Sequence, residues 1–147
     1  MHRRGRPKGP RWIKEFPKAM LFKPRGLPLN TLERVEITIE ELEAMRLVDF
    51  LGLGQEEAAK MMGVSRKTLW MDLKEGRRKV IEGLIEGKAI ELKGSHPYTI
   101  RCTCKGCGST WFYLFKRMPR RLRCPSCKIE LELSKVESRN TFDEESG

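Results

Sequence analysis

The sequence predicts a mainly α fold: a helix-turn-helix bundle, with a small β ribbon around four cysteines at the C-terminus and an extended basic N-terminal arm. Three observations predict it. Apolar residues recur at helical spacing through the middle of the chain. A small residue, a glycine, an apolar residue and a helix cap fall in register there. Two C-x-x-C pairs follow near the C-terminus.

The first segment, 1–30, is rich in Pro and Gly and has no helix or strand periodicity, so it reads as an extended arm. Residues 31–86 read as helical, 87–100 as a short β-prone connector, 101–136 as the cysteine module and 137–147 as an acidic, fraying tail. The net charge of +10 is unevenly spread: +8 over 1–30, −2 over 31–99, +8 over 100–128 and −4 over the rest. Two basic ends around a near-neutral core suit a polyanion contacted at two places, because each neutralised phosphate releases counterions. No window approaches the roughly 20 apolar residues of a membrane helix, and no apolar stretch follows the basic N-terminus as a secretory signal requires. The expected location is the cytoplasm, on the nucleoid of a prokaryote, with no membrane partner.

Thr38-x-x-Glu41 fits a capping box that opens the clearest helix, with Leu42, Met45, Leu47 and Val48 on one face. Gly52 and Gly54 break it. A second, short helix containing Ala59 runs into Gly63, and a third opens at Ser65. Ala59 lets two helices cross closely, Gly63 accepts the positive φ of a tight turn, and Val64 and Leu69 plug the space between them. Ser65 is a natural N-cap for a recognition helix. Ser65, Arg66, Lys67 and Thr68 are then the candidate groove contacts. Lys74, Arg77 and Arg78 fall where that helix would leave the groove and meet phosphate.

Phe22 to about Gly94 resembles an uncharacterised prokaryotic family. The matching residues are Lys23-Pro-Arg-Gly26, Thr38-x-x-Glu41-x-Glu43-Ala44-x-Arg46-Leu47, Gln55-Glu-Glu-Ala58-Ala59 and Val64-Ser65-Arg66. Its members are predicted DNA-binding proteins whose helix-turn-helix is similar to the promoter-binding fourth region of sigma factors. The resemblance implies a DNA-binding role. The chain departs from the pattern in having no cysteine before Cys102, and in Trp70 and Met71 where polar residues are usual. Asp72 stands where a buried aliphatic residue is usual, which predicts a helix rotated or shortened at that point.

Arg4-Gly5-Arg6-Pro7-Lys8 resembles the core of an AT-hook. Arginines on a thin, extended backbone enter the narrow minor groove of A·T tracts, and proline fixes the chain direction. A generic phosphate-binding tail is the alternative.

Cys104-Lys-Gly-Cys107 and Cys124-Pro-Ser-Cys127 are separated by sixteen residues. Two such turns complete a tetrahedral thiolate site, so the module resembles a zinc ribbon holding one structural Zn2+. The β-prone Trp111–Phe115 and the alternating Ile129-Glu-Leu131-Glu-Leu133 supply its strands. Rubredoxin-like iron and disulfides are alternatives, the latter disfavoured by an odd cysteine count in a cytoplasmic chain. Cys102 is either a spare buried thiol or a ligand alternative to Cys104, and His96 is not expected to bind the ion. Between the knuckles, Lys116, Arg117, Arg120, Arg121 and Arg123 put five cations in eight residues, a candidate phosphate or single-strand contact loop.

No phosphate loop, nucleophile–base constellation or apolar carboxylate pair is present, so no enzyme is expected. The acidic residues of the middle segment read as solvated polar faces. The expected function is a DNA-binding transcriptional regulator with nucleic acid as partner, DNA favoured over RNA. The alternatives are an RNA- or ribosome-associated zinc protein, or an adaptor on the transcription machinery.

Overall fold

A computed structural model describes residues 11–131 and the backbone of 138–140. The fold is mixed α/β rather than mainly α. The elements run β1 (Arg11–Ile13), β2 (Leu21–Phe22), β3 (Arg34–Thr38), α1 (Ile39–Met45), α2 (Gln55–Met62), α3 (Arg66–Glu86), β4 (Ala89–Lys93), β5 (Tyr98–Thr103), β6 (Thr110–Phe115) and β7 (Ser138–Asn140). A π-helical turn, Arg46–Phe50, prolongs α1.

Strands form in three of the segments expected to be arm, helix or connector. β3 alternates exposed and buried residues with period two, and Val35 and Ile37 face the core. It pairs in parallel with β4, from Arg34 opposite Ala89 to Thr38 opposite Lys93, and β2 covers the other edge of β4. All three helices therefore form the crossover that parallel pairing requires. The β-prone connector 87–100 holds β4 and the start of β5. In the arm, β1 pairs antiparallel with β6, Arg11 opposite Leu114, in a second sheet of order β1-β6-β5-β7. Of the expected strand 129–133, the described residues 129–131 pair back on 122–124 through a bridge between Glu130 and Arg123 rather than a named strand, and Glu132 and Leu133 lie outside the described residues.

Thr38 caps α1 as its spacing requires. Its hydroxyl accepts from the Glu41 N–H at 3.0 Å, and its own N–H donates to Glu41 Oε1 at 2.9 Å. Behind the helices, Ile37, Ile39, Leu47, Met62, Leu69 and Leu73 are fully buried. Each such side chain contributes on the order of 1.5–3 kcal/mol. Gly83 lets α3 lie directly on the three-stranded sheet, since a Cβ there would meet Ile90 Cγ1 at 2.7 Å.

Strand β1 joins the two halves of the molecule. Ile13 belongs to the core of the helical half, whereas Trp12 packs in the ribbon cluster, 4.8 Å from the Tyr113 ring and 6.2 Å from that of Trp111. Arg11 reaches α3, where its Nε donates to Asp72 Oδ2 at 3.3 Å with both side chains buried. Asp72 thus neither rotates nor shortens the helix, which runs unbroken for 21 residues.

The carboxylates of α1 are not solvated. Glu40, Glu41 and Glu43 are all buried. Glu43 accepts two bonds from the Arg46 guanidinium and one from the Lys14 N–H, and Lys79 Nζ donates to Glu41 at 2.8 Å. The Ser95 hydroxyl donates to Glu40, beside His96.

Candidate nucleic-acid interface and metal centre

Helix α2 ends at Gly63, whose φ of 71° is the left-handed turn that glycine accepts, and α3 begins after Ser65. A Cβ on Gly63 would also press on Trp12, so the turn sits on β1. The Ser65 hydroxyl accepts the Thr68 N–H at 3.0 Å and donates to the Thr68 hydroxyl at 2.9 Å. Both hydroxyls are therefore engaged in the cap.

The exposed face of α3 changes character along its length. Arg66, Lys67 and Lys74 are exposed and have no ion-pair partner among the described residues; Trp70 and Met71 lie exposed between them. Arg77 is bound bidentately by Asp49, at 2.7 and 3.1 Å, and Arg78 by Glu75 and Glu82. Those carboxylates hold both guanidinium groups above their ordinary range and partly neutralise them. The first three cations thus face solvent without an acid beside them, whereas Arg77 and Arg78 already face carboxylates.

In the ribbon loop, Lys116, Arg117, Arg120, Arg121 and Arg123 are all exposed. Among the described residues only Arg121 faces a carboxylate, Glu130, at 3.7 Å. The loop leaves β6 just past Leu114, the residue opposite Arg11. Arg11 in turn is ion-paired with α3. The basic loop, the entry of the N-terminal segment into β1 and helix α3 therefore meet at one junction. Arg4, Arg6 and Lys8 lie outside the described residues.

The four predicted ligands are brought together. Their sulfurs all lie within 4.8 Å of one another, with Cys104–Cys127 at 3.3 Å and Cys107–Cys124 at 3.7 Å. A tetrahedron of thiolates about 2.3 Å from an ion has edges of about 3.8 Å, so the cluster could hold a metal ion. The two knuckles share one hydrogen-bond scheme. Gly108 N–H donates to Cys104 O and Cys104 N–H to Ser109 O; Lys128 N–H donates to Cys124 O and Cys124 N–H to Ile129 O. In both, the residue after the second cysteine is left-handed, Gly108 at φ 74° and Lys128 at 70°.

The Cys104 thiol is lowered by the backbone N–H of Cys107 and by Cys127. Hydrogen bonds from Ser109 bring Cys107 down to about 6. Cys102 stands apart, buried in the ribbon core on β5, and burial pushes its thiol up to about 11. It is a spare core thiol, outside the cluster. His96 is likewise buried away from the cysteines, near Glu40. What sequence reasoning misses is Arg11 and its pairing with Asp72; the only local signal is a charge at each position in an otherwise apolar register.

No helix among the described residues is long and apolar enough to cross a membrane. Residues 1–101 match the family described as "Protein of unknown function DUF134". A UPF0251 protein of Methanosarcina acetivorans is 56% identical over 93 residues, covering 63% of this chain and 83% of the relative. A second from that organism is 46% identical over 121 residues, covering 79% and 71%. One from Methanococcus vannielii is 48% identical over 105 residues, covering 71% and 81%. No solved structure matches the chain. With its helical half and strand β1 both inside the matched region, the chain belongs to the DUF134 family of proteins of unknown function.

Proposed function

We propose that the protein binds duplex DNA as a transcriptional regulator, with the N-terminal turns of α3 in the major groove. The single observation that carries this reading is the junction at Arg11, where β1 is tied to α3 through Asp72 and paired with β6, the strand that leads into the basic loop 116–123, while Arg66, Lys67 and Lys74 on α3 lie exposed without ion-pair partners among the described residues. A duplex lying on α3 meets phosphate-binding cations on either side, and the arm around Arg4, Arg6 and Lys8 is long enough to follow the adjacent minor groove. The ion in the ribbon is one structural zinc: four thiolates leave no open coordination position, and hydrogen bonds to Cys104 and Cys107 favour those two sulfurs in their ionised form.

The test is a salt series with A·T-rich duplex, G·C-rich duplex and folded RNA. Duplex binding should persist to higher salt than RNA binding. Arg66→Ala and Arg120→Ala should each reduce the log–log salt slope by about one, with little dependence on sequence. Arg6→Ala should cost more on A·T-rich than on G·C-rich duplex. Folded RNA bound as tightly as duplex at every salt concentration would overturn the DNA reading and favour a ribosomal or other RNA partner.

A further inference from the structure

The C-terminal half of α3 carries an apolar stripe that no described residue covers. Ile81, Leu84 and Ile85 recur at helical spacing and are 56%, 68% and 79% exposed. The stripe looks away from the sheet, because Gly83, on the opposite side of the helix, is the residue packed against Ile90 and Val35. Asp49 binds Arg77 one turn before Ile81, and the next residue, Phe50, is 82% exposed and extends the patch.

Charge around the stripe is cancelled in place. Asp49 neutralises Arg77, Glu75 and Glu82 flank Arg78, and Lys88 lies 3.0 Å from Glu82 and 3.2 Å from Glu86. Two identical surfaces meet here without like-charge repulsion, whereas the first turns of α3 keep their cations unpaired. The helix thus divides into a polyanion-facing half and a half suited to a copy of itself.

We propose that this stripe is a weak two-fold dimer face, on which α3 of one copy packs against α3 of a second copy. An isologous contact needs a self-complementary patch, and an apolar stripe rimmed by neutralised ion pairs is one. Exposed side chains of this size offer on the order of 100–150 Å² each, so both copies together bury about 1,000 Å². That is below the roughly 1,600 Å² of a stable complex, which fits a weak association to be sought at high-micromolar to millimolar concentration. Two copies held on one polymer reach about that effective concentration, so the face closes there. Self-association itself needs no nucleic acid, and the proposal does not depend on the DNA reading.

Sedimentation equilibrium of the metal-loaded full chain, from about 10 μM to about 1 mM, tests it directly. The weight-average mass should climb from 17.1 kDa towards twice that value. The association should hold or strengthen with added salt, as an apolar face does and a charge-driven one does not. Leu84→Asp and, separately, Ile85→Lys should remain monomeric throughout with unchanged melting temperatures, since both sites are exposed. A wild-type chain that stays at 17.1 kDa at every concentration overturns the proposal. So does association that survives both substitutions.

Discussion

The ion pair between Arg11 and Asp72 is where the architecture can be tested most sharply. Its side chains are 4% and 5% exposed and 61 residues apart in sequence. Replacing Asp72 with Ala removes the carboxylate that Arg11 Nε bonds, and breaking a buried ion pair costs about 3–5 kcal/mol. Against a total stability of about 5–15 kcal/mol this is a large fraction. At roughly 3 °C per kcal/mol for a chain of this size, the melting temperature should fall by about 10–15 °C. Replacing both partners, Arg11→Met with Asp72→Leu, removes the charges together and should return stability to within about 1 kcal/mol of wild type, or above it. Urea unfolding followed by circular dichroism and by tryptophan fluorescence reads both effects, since Trp12 adjoins Arg11 on β1. A cost below about 1 kcal/mol for Asp72→Ala is what a hydrated surface pair gives, and it would refute the docking of β1 on α3. A double variant as unstable as the single one would refute the electrostatic account.

Lys128→Gly should raise stability by about 1 kcal/mol by relieving a left-handed lysine, and Gly108→Lys should lower it by about 1–2; a lower melting temperature for Lys128→Gly would contradict the shared knuckle geometry. Burial raises the Cys102 thiol from 9.0 to about 11, so its neutral form is favoured in the folded state. The stabilisation is complete below about pH 9 and disappears as pH rises from about 9 to about 11. Cys102→Ala should flatten that part of the stability–pH curve relative to wild type. Native mass spectrometry should find one zinc per chain, and none after Cys124→Ser. Either Cys124→Ser or a chelator should shift the fluorescence of Trp12 and Trp111 to the red, because both pack in the cluster that holds Cys104 and Cys124; an unchanged spectrum would mean that the apolar contacts hold the ribbon without the ion.

What was legible in the sequence was local. The Thr38–Glu41 box, the Ala59–Gly63–Ser65 register and the cysteine spacing each act within a few residues or through one ion, and the structure reproduces all three. The strands were less legible because their partners are remote. β1 is three residues long and pairs with β6 about a hundred residues away, too short to show a period of its own. β3 does alternate, but it runs straight into the capping box, so helical spacing claims it. Ile81, Leu84 and Ile85 have the spacing of a core face, and only the position of Gly83 against the sheet reveals that they point outward. Asp72 looks like a departure from pattern until Arg11 is seen beside it.

The buried acids of α1 explain why this arrangement is specific as well as stable. Glu40 takes its bond from the loop after β4, Glu41 from Lys79 on α3, and Glu43 from the Lys14 backbone just past β1. Apolar residues of similar size at these positions would keep the burial and avoid the desolvation cost, so the carboxylates are poorly explained as sources of stability alone. Each instead accepts a hydrogen bond from a different part of the chain, and a buried carboxylate that loses its partner is heavily penalised. Alternative packings of α1 leave at least one of the three unpaired, whereas a purely apolar face would tolerate small slides and rotations. The orientation of α3 relative to the ribbon is thus fixed by polar contacts on the hidden side of the helices. The placement of α3 beside β1, and so beside the strand that leads into the basic loop, depends on that orientation.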